Sequence, residues 1–216
     1  MMEQLGSTIS LRHVRLGAVA VLLALAVAMP QAGAVEEMRT FNGGKKSSKS
    51  KSCPKGKRYS QKKRGCVKTS CGTGRVWSGE AEACFGRNSA ALTDEDLYLG
   101  AGEGVLDGRY ADALDLLGRI ADKRHAKVLN LTGYATRKLG DVDKGIGYYH
   151  EALALDPDYT KARQYLGEGY LQKGDVAKAE EQLDQIADRC GGPCEDYTLL
   201  AEAIVAHVTG GEVGGW

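Results

Sequence analysis

The chain has 216 residues, six cysteines and 29 Lys or Arg against 28 Asp or Glu, a formal net charge of +1. Near-neutrality hides a bipolar arrangement. Residues 38–79 hold 13 basic and no acidic residues, whereas residues 80–216 hold 14 basic and 25 acidic ones, a net −11. The length is enough for one modest domain plus a small module, and the even cysteine number argues against free reactive thiols in an oxidising compartment.

Residues 1–34 have the three parts of a secretory leader. Arg12 and Arg15 form its basic end, the run LGAVAVLLALAVAM from Leu16 to Met29 is apolar, and Ala32-Gly33-Ala34 is a small-x-small cleavage pattern. The apolar run falls short of the ~20 residues a spanning helix needs. The expected mature chain therefore starts at Val35, is exported to the periplasm, and carries no later transmembrane run. Residues 35–52, VEEMRTFNGGKKSSKSKS, are polar and rich in Ser, Gly and Lys, and they are expected to be a disordered basic linker.

Residues 53–84 contain a duplication. CPKGKRYSQKKRGC from Cys53 to Cys66 and CGTGRVWSGEAEAC from Cys71 to Cys84 both read C-x-x-G-basic-x-aromatic-Ser-x5-C. A unit this small buries too little surface to fold unaided, so disulfide staples are expected. Closure within each unit, Cys53 to Cys66 and Cys71 to Cys84, gives each copy its own bond; a crossed pairing is the alternative. Zinc is disfavoured because the spacing of Cys53, Cys66, Cys71 and Cys84 contains no close C-x2-C knuckle.

Helical periodicity begins near Asp94. In HAKVLNLTGYATRKLGDVDKGIGYYHEALALDPDY, Leu129, Gly133 and Leu139 lie on one face, Gly140 breaks the helix and Asp141 can cap the next. Ile146, Tyr149, Ala152, Leu153 and Leu155 form a second apolar stripe, which Pro157 ends. The scheme then repeats, matching Gly133 to Gly167, Gly140 to Gly174 and Asp141 to Asp175. Units are expected over 126–159 and 160–193, with a degenerate, glycine-interrupted unit over 94–125 whose first helix should fray most easily. A final helix over 194–209 would cover the last apolar face, and Cys190 and Cys194 bracket its junction in CGGPC. A structural disulfide there fits better than a redox pair, which would have two intervening residues and a preceding strand.

With this period and these small and large positions, the segment resembles the tetratricopeptide repeat. The resemblance implies an all-α solenoid of about three helical hairpins plus a capping helix, and a concave groove lined by the first helix of each pair. Carried over position by position, groove residues would be Lys127, Asn130, Tyr134, Arg137 and Lys138 in the central unit, Lys161, Gln164 and Glu168 in the next, and Tyr98 in the degenerate one. This is a mixed polar surface with a cationic bias, suited to an extended peptide or a carboxylate. The carboxylate clamp of some family members does not carry over, because Tyr98 and Gly102 stand where its Lys and Asn would.

No nucleophile, base and metal-ligand constellation stands out, and GAGEG from Gly100 to Gly104 lacks both the preceding strand and the spacing of a phosphate loop. The expectation is a non-enzymatic, cofactor-free and metal-free adaptor that binds a protein or peptide in the envelope, not nucleic acid. The alternative is an envelope-anchoring protein whose basic module binds anionic lipid, lipopolysaccharide or cell-wall polymer.

Overall fold

The computed structural model describes residues 57–60, 65–68 and 71–211. The leader at 1–34, the linker at 35–52 and Cys53, with its pairing, lie outside the described residues; Cys66 is disulfide-bonded. Two β-hairpins come first: β1 (Lys57–Ser60) pairs antiparallel with β2 (Gly65–Lys68), and β3 (Arg75–Ser78) with β4 (Ala83–Gly86). Their registers coincide position for position, Tyr59 facing Cys66 as Trp77 faces Cys84. The duplication read in the sequence is thus also a duplication of backbone pairing. Cys71 and Cys84 form a disulfide with their Cα atoms 5.7 Å apart, the within-unit closure.

A lone two-stranded hairpin is marginal in water and needs a further surface to pack on. The second hairpin finds it on the helical region. Side chains alternate along β3, so Val76 and Ser78 point inward at 2% and 1% exposure while Arg75 is exposed and Trp77 half-buried. Val76 joins the main apolar core with Leu97, Tyr98, Leu116 and Leu117. The Gly79 N–H donates to Asp96 Oδ1 at 2.8 Å, and Arg87 pairs with Asp112 at 2.8 Å.

Seven helices follow among the described residues: α1 (Asp94–Leu106), α2 (Tyr110–Arg119), α3 (Ala126–Lys138), α4 (Val142–Leu155), α5 (Thr160–Gln172), α6 (Val176–Cys190) and α7 (Glu195–Thr209). They form three antiparallel pairs and a closing helix, a helical-hairpin solenoid. Local chemistry sets the boundaries. Thr93 and Asp96 form a reciprocal capping box at the start of α1. Asp141 and Asp175, at the same place in successive units, accept from the N–H groups of Lys144 and Lys178 to cap α4 and α6. The preceding Gly140 and Gly174 have φ of +102° and +75°, values that suit glycine. Gly191, which stands where the preceding unit has Pro157, caps α6 in the left-handed region.

Close approach between helices depends on residues without side chains. A Cβ at Gly133 would lie 2.8 Å from Tyr149 Cε1, and one at Gly167, its counterpart in the next unit, 2.7 Å from Leu200 Cδ1. Leu200 of α7 is fully buried with Leu171, Ala179 and Ile186, so α7 covers the last pair. Cys190 and Cys194, with Cα atoms 6.0 Å apart, bridge α6 to α7.

Gly100 shows why α1 tolerates glycines that weaken an isolated helix. A Cβ there would sit 2.8 Å from Val76 Cγ1, so the gap in the helix surface seats the hairpin. Gly100→Ala should therefore destabilise the protein by about 1–3 kcal/mol through overpacking. In a Val76→Ala background the same change should become neutral or stabilising by up to ~1 kcal/mol, since Ala favours helix. Urea unfolding of the four proteins of this cycle measures both.

Candidate binding face

Residues 127, 130, 134 and 137/138 recur every three or four positions along α3, as 161, 164 and 168 do along α5, so each set forms one stripe on its helix. The two stripes meet. The rings of Tyr134 and Tyr165 lie 4.8 Å apart, and that of Tyr110 of α2 lies 6.4 Å from Tyr134. The Arg137 guanidinium donates from Nη2 to Glu168 Oε2 at 2.6 Å and from Nε to the Tyr149 hydroxyl at 3.3 Å, and lies 5.5 Å from the centre of the Tyr134 ring. Gln164 donates to Glu168 Oε1 at 2.7 Å and accepts from Lys161 Nζ at 3.0 Å. Lys161 Nζ also pairs with Asp196 of α7 at 2.5 Å, and Thr160 donates to the same carboxylate at 2.6 Å. One polar chain thus runs from Tyr149 on α4 through α3 and α5 to the capping helix.

The surface anticipated from the repeat pattern is consequently less cationic than its composition. Arg137 and Lys161 are 2% and 7% exposed and face internal acids. Asn130 and Gln164 are buried too; Asn130 donates to the Tyr159 hydroxyl at 3.2 Å. Tyr98 and Tyr134 are likewise buried, both in the apolar cluster that contains Val76. Lys127, Lys138 and Glu168 remain half-buried, and Lys138 Nζ lies 5.8 Å from the centre of the Tyr134 ring.

These surroundings tune the ionisable groups. Burial opposes the Arg137 charge, but Tyr149 and Glu168 outweigh it and hold the guanidinium above its ordinary pKa. Burial, helped by Glu168, pushes Tyr134 up to about 12. Burial and then Arg137 lower the pKa of Lys138.

The sequence reading missed Tyr165 and Asp196. Tyr165 had a signal, lying one helical turn after Lys161 and one before Glu168. Asp196 had none, because α7 stands outside the repeat period and its contact with Lys161 is made only on docking. Among the described residues, no group of His, Cys, Asp and Glu could hold a metal ion, and no helix is long and apolar enough to cross a membrane.

Fold and face together define a helical-repeat scaffold. Tetratricopeptide repeat models match residues 107–160 and 137–193, so the repeat segment belongs to that family. Similar solved structures include the Yersinia enterocolitica type III secretion translocator chaperone SycD, at 23% identity over 56% of this chain and 95% of that one, TM-score 0.48. Another is a MamA RS-1 double mutant, at 26% identity over 44% of this chain and 55% of that one, TM-score 0.42. A third is PcrH in complex with the chaperone binding region of PopB, at 20% identity over 56% and 98%, TM-score 0.46. No curated protein sequence matches the chain.

Removing one partner of a buried pair strands the other, at a cost of about 3–5 kcal/mol. Glu168→Ala should approach the lower end, since the Glu168 side chain is 18% exposed, and should cost much less once Arg137→Met has removed the charge it balances. Thermal unfolding of the single and double variants reads this difference. Tyr134 gives a pH signature. Its folded pKa is raised, so the unfolded chain ionises first; stability is complete below pH ~10 and declines as pH rises toward 12. Urea midpoints across that window should fall less steeply for Tyr134→Phe than for the parent.

Proposed function

We propose that this chain is an exported, non-enzymatic adaptor of the bacterial periplasm that holds an extended segment of a protein partner along the first helices of its central repeats. One observation carries the reading: two stripes in the same repeat phase, Lys127/Asn130/Tyr134/Lys138 on α3 and Lys161/Gln164/Glu168 on α5, adjoin through the Tyr134–Tyr165 contact. Of these residues Lys127, Lys138 and Glu168 are half-buried and reach the surface; their ammonium and carboxylate groups suit the mixed side chains of an extended peptide, and stacked repeats provide long surfaces of this kind. The leader pattern and the six cysteines support export.

A second reading gives the main binding role to the basic segment, which would anchor the protein to an anionic envelope surface. The uninterrupted positive charge of residues 38–79 favours it, together with the exposure of Lys57 and Arg75.

Affinity capture from a periplasmic extract discriminates the two. Lys127→Glu with Lys138→Glu changes half-buried positions and avoids the buried pairs, and should reduce partner capture at least tenfold while the melting temperature stays near that of the parent. Unchanged capture by that variant would overturn the groove reading. A chain lacking residues 45–68 should keep its captured protein partners; envelope cosedimentation lost with that deletion, and suppressed by salt in the parent, would establish the second reading.

A further inference from the structure

The two hairpins show what their duplication retains. In the second, most shared positions have an internal use: Gly74 turns the chain at φ +76°, Ser78 Oγ accepts from the Ala81 N–H at 3.3 Å, and Cys71 and Cys84 form the staple. The face that packs on α1 is not retained, since position 58, the counterpart of buried Val76, is Arg. What both copies also keep is a basic residue and an aromatic residue two positions apart on the other face. In β3 these are Arg75, exposed and donating to the Cys84 carbonyl at 2.7 Å, and half-buried Trp77. By the shared register, Lys57 of the first hairpin takes the place of Arg75, and its side chain is exposed.

We infer that the outward residues Lys57, Arg75 and Trp77 seat on an anionic phospholipid bilayer, with the lysine and arginine on headgroup phosphates and Trp77 at the level of the headgroups. The inference rests on the second reading above and assigns its partner and contact residues. Charge complementarity supports it: the net −11 of residues 80–216 is repelled by the surface that attracts the hairpins, which keeps the repeats in water. Tryptophan is a preferred side chain at membrane–water interfaces.

The test uses the chain from Val35 with Trp216→Phe, leaving Trp77 as its one tryptophan. The expected result is cosedimentation with phosphatidylglycerol-containing vesicles but not with pure phosphatidylcholine, loss of binding at high salt, and a blue-shifted, quencher-protected Trp77 emission in the bound state. Lys57→Gln and Arg75→Gln should each weaken binding about fivefold, the equivalent of one surface charge. Unchanged Trp77 emission without vesicles verifies that Arg75→Gln keeps the second hairpin, and Lys57→Arg, which retains the charge, should bind as the parent does. Vesicle binding with no change at Trp77 overturns this inference and leaves the second reading standing. Binding to purified lipopolysaccharide or to cell-wall polymer with none to phospholipid vesicles overturns the choice of partner, and no binding to any of the three overturns both.

Discussion

A stack of helix pairs buries the apolar face of each pair only against the next, so its two open ends set the condition on which the remainder depends. At the first end the cover is a β-hairpin, with Val76 pressed into the gap left by Gly100 and Asp96 accepting from the Gly79 N–H. At the other it is α7, with Leu200 against Gly167 and Asp196 against Lys161. Each cover is tied by a disulfide, Cys71–Cys84 within the hairpin and Cys190–Cys194 at the entry to α7. Covalent restraint matters most in such pieces, because a short strand pair or a single terminal helix has little surface with which to offset its own ordering.

The interior follows from close approach. With Gly133 facing Tyr149, and Gly145 facing both the Gly133 carbonyl and Arg137, α3 and α4 come near enough to enclose a guanidinium. Burying that charge is tolerable only with acceptors in place, which Glu168 and Tyr149 provide from two neighbouring helices. The same contacts link the repeats to the cap, since Glu168 bonds Gln164, Gln164 bonds Lys161, and Lys161 reaches Asp196. The polar chain is thus part of the architecture as well as of the face that the proposal assigns to a partner.

Charge is divided along the chain in a way that matches this division of labour. The repeats carry an acidic excess, much of their basic complement being paired internally or along the surface, as in Arg109–Asp112 and Arg189–Asp158. The hairpins and the segment before them carry the positive excess. The second hairpin belongs to both regions, having one face on α1 and the other exposed at Arg75. An anchoring role for that outward face and a partner-holding role for α3 and α5 are therefore compatible within one molecule.

Helix boundaries were legible because their causes are local. Gly140 with Asp141, and Gly174 with Asp175, stop one helix and cap the next at adjacent positions, and α3 and α5 begin at Ala126 and Thr160 as the repeat period requires. The cysteine spacing likewise indicated the Cys71–Cys84 and Cys190–Cys194 bonds. The strands were not legible, since they are too short for an alternating pattern to stand out. Nor was the use of Gly100, which looked like a weakness in α1 until Val76 was found to fill it. For the candidate face, the sequence by itself determined which residues share a helical stripe, because that follows from the ~3.6 residues per turn of any α-helix. Tertiary structure alone decided that Arg137 and Lys161 would be neutralised by Glu168 and Asp196 while Lys127 and Lys138 stayed half-buried, because ion pairing and burial depend on which distant side chains the packing of separate helices brings within a few ångströms.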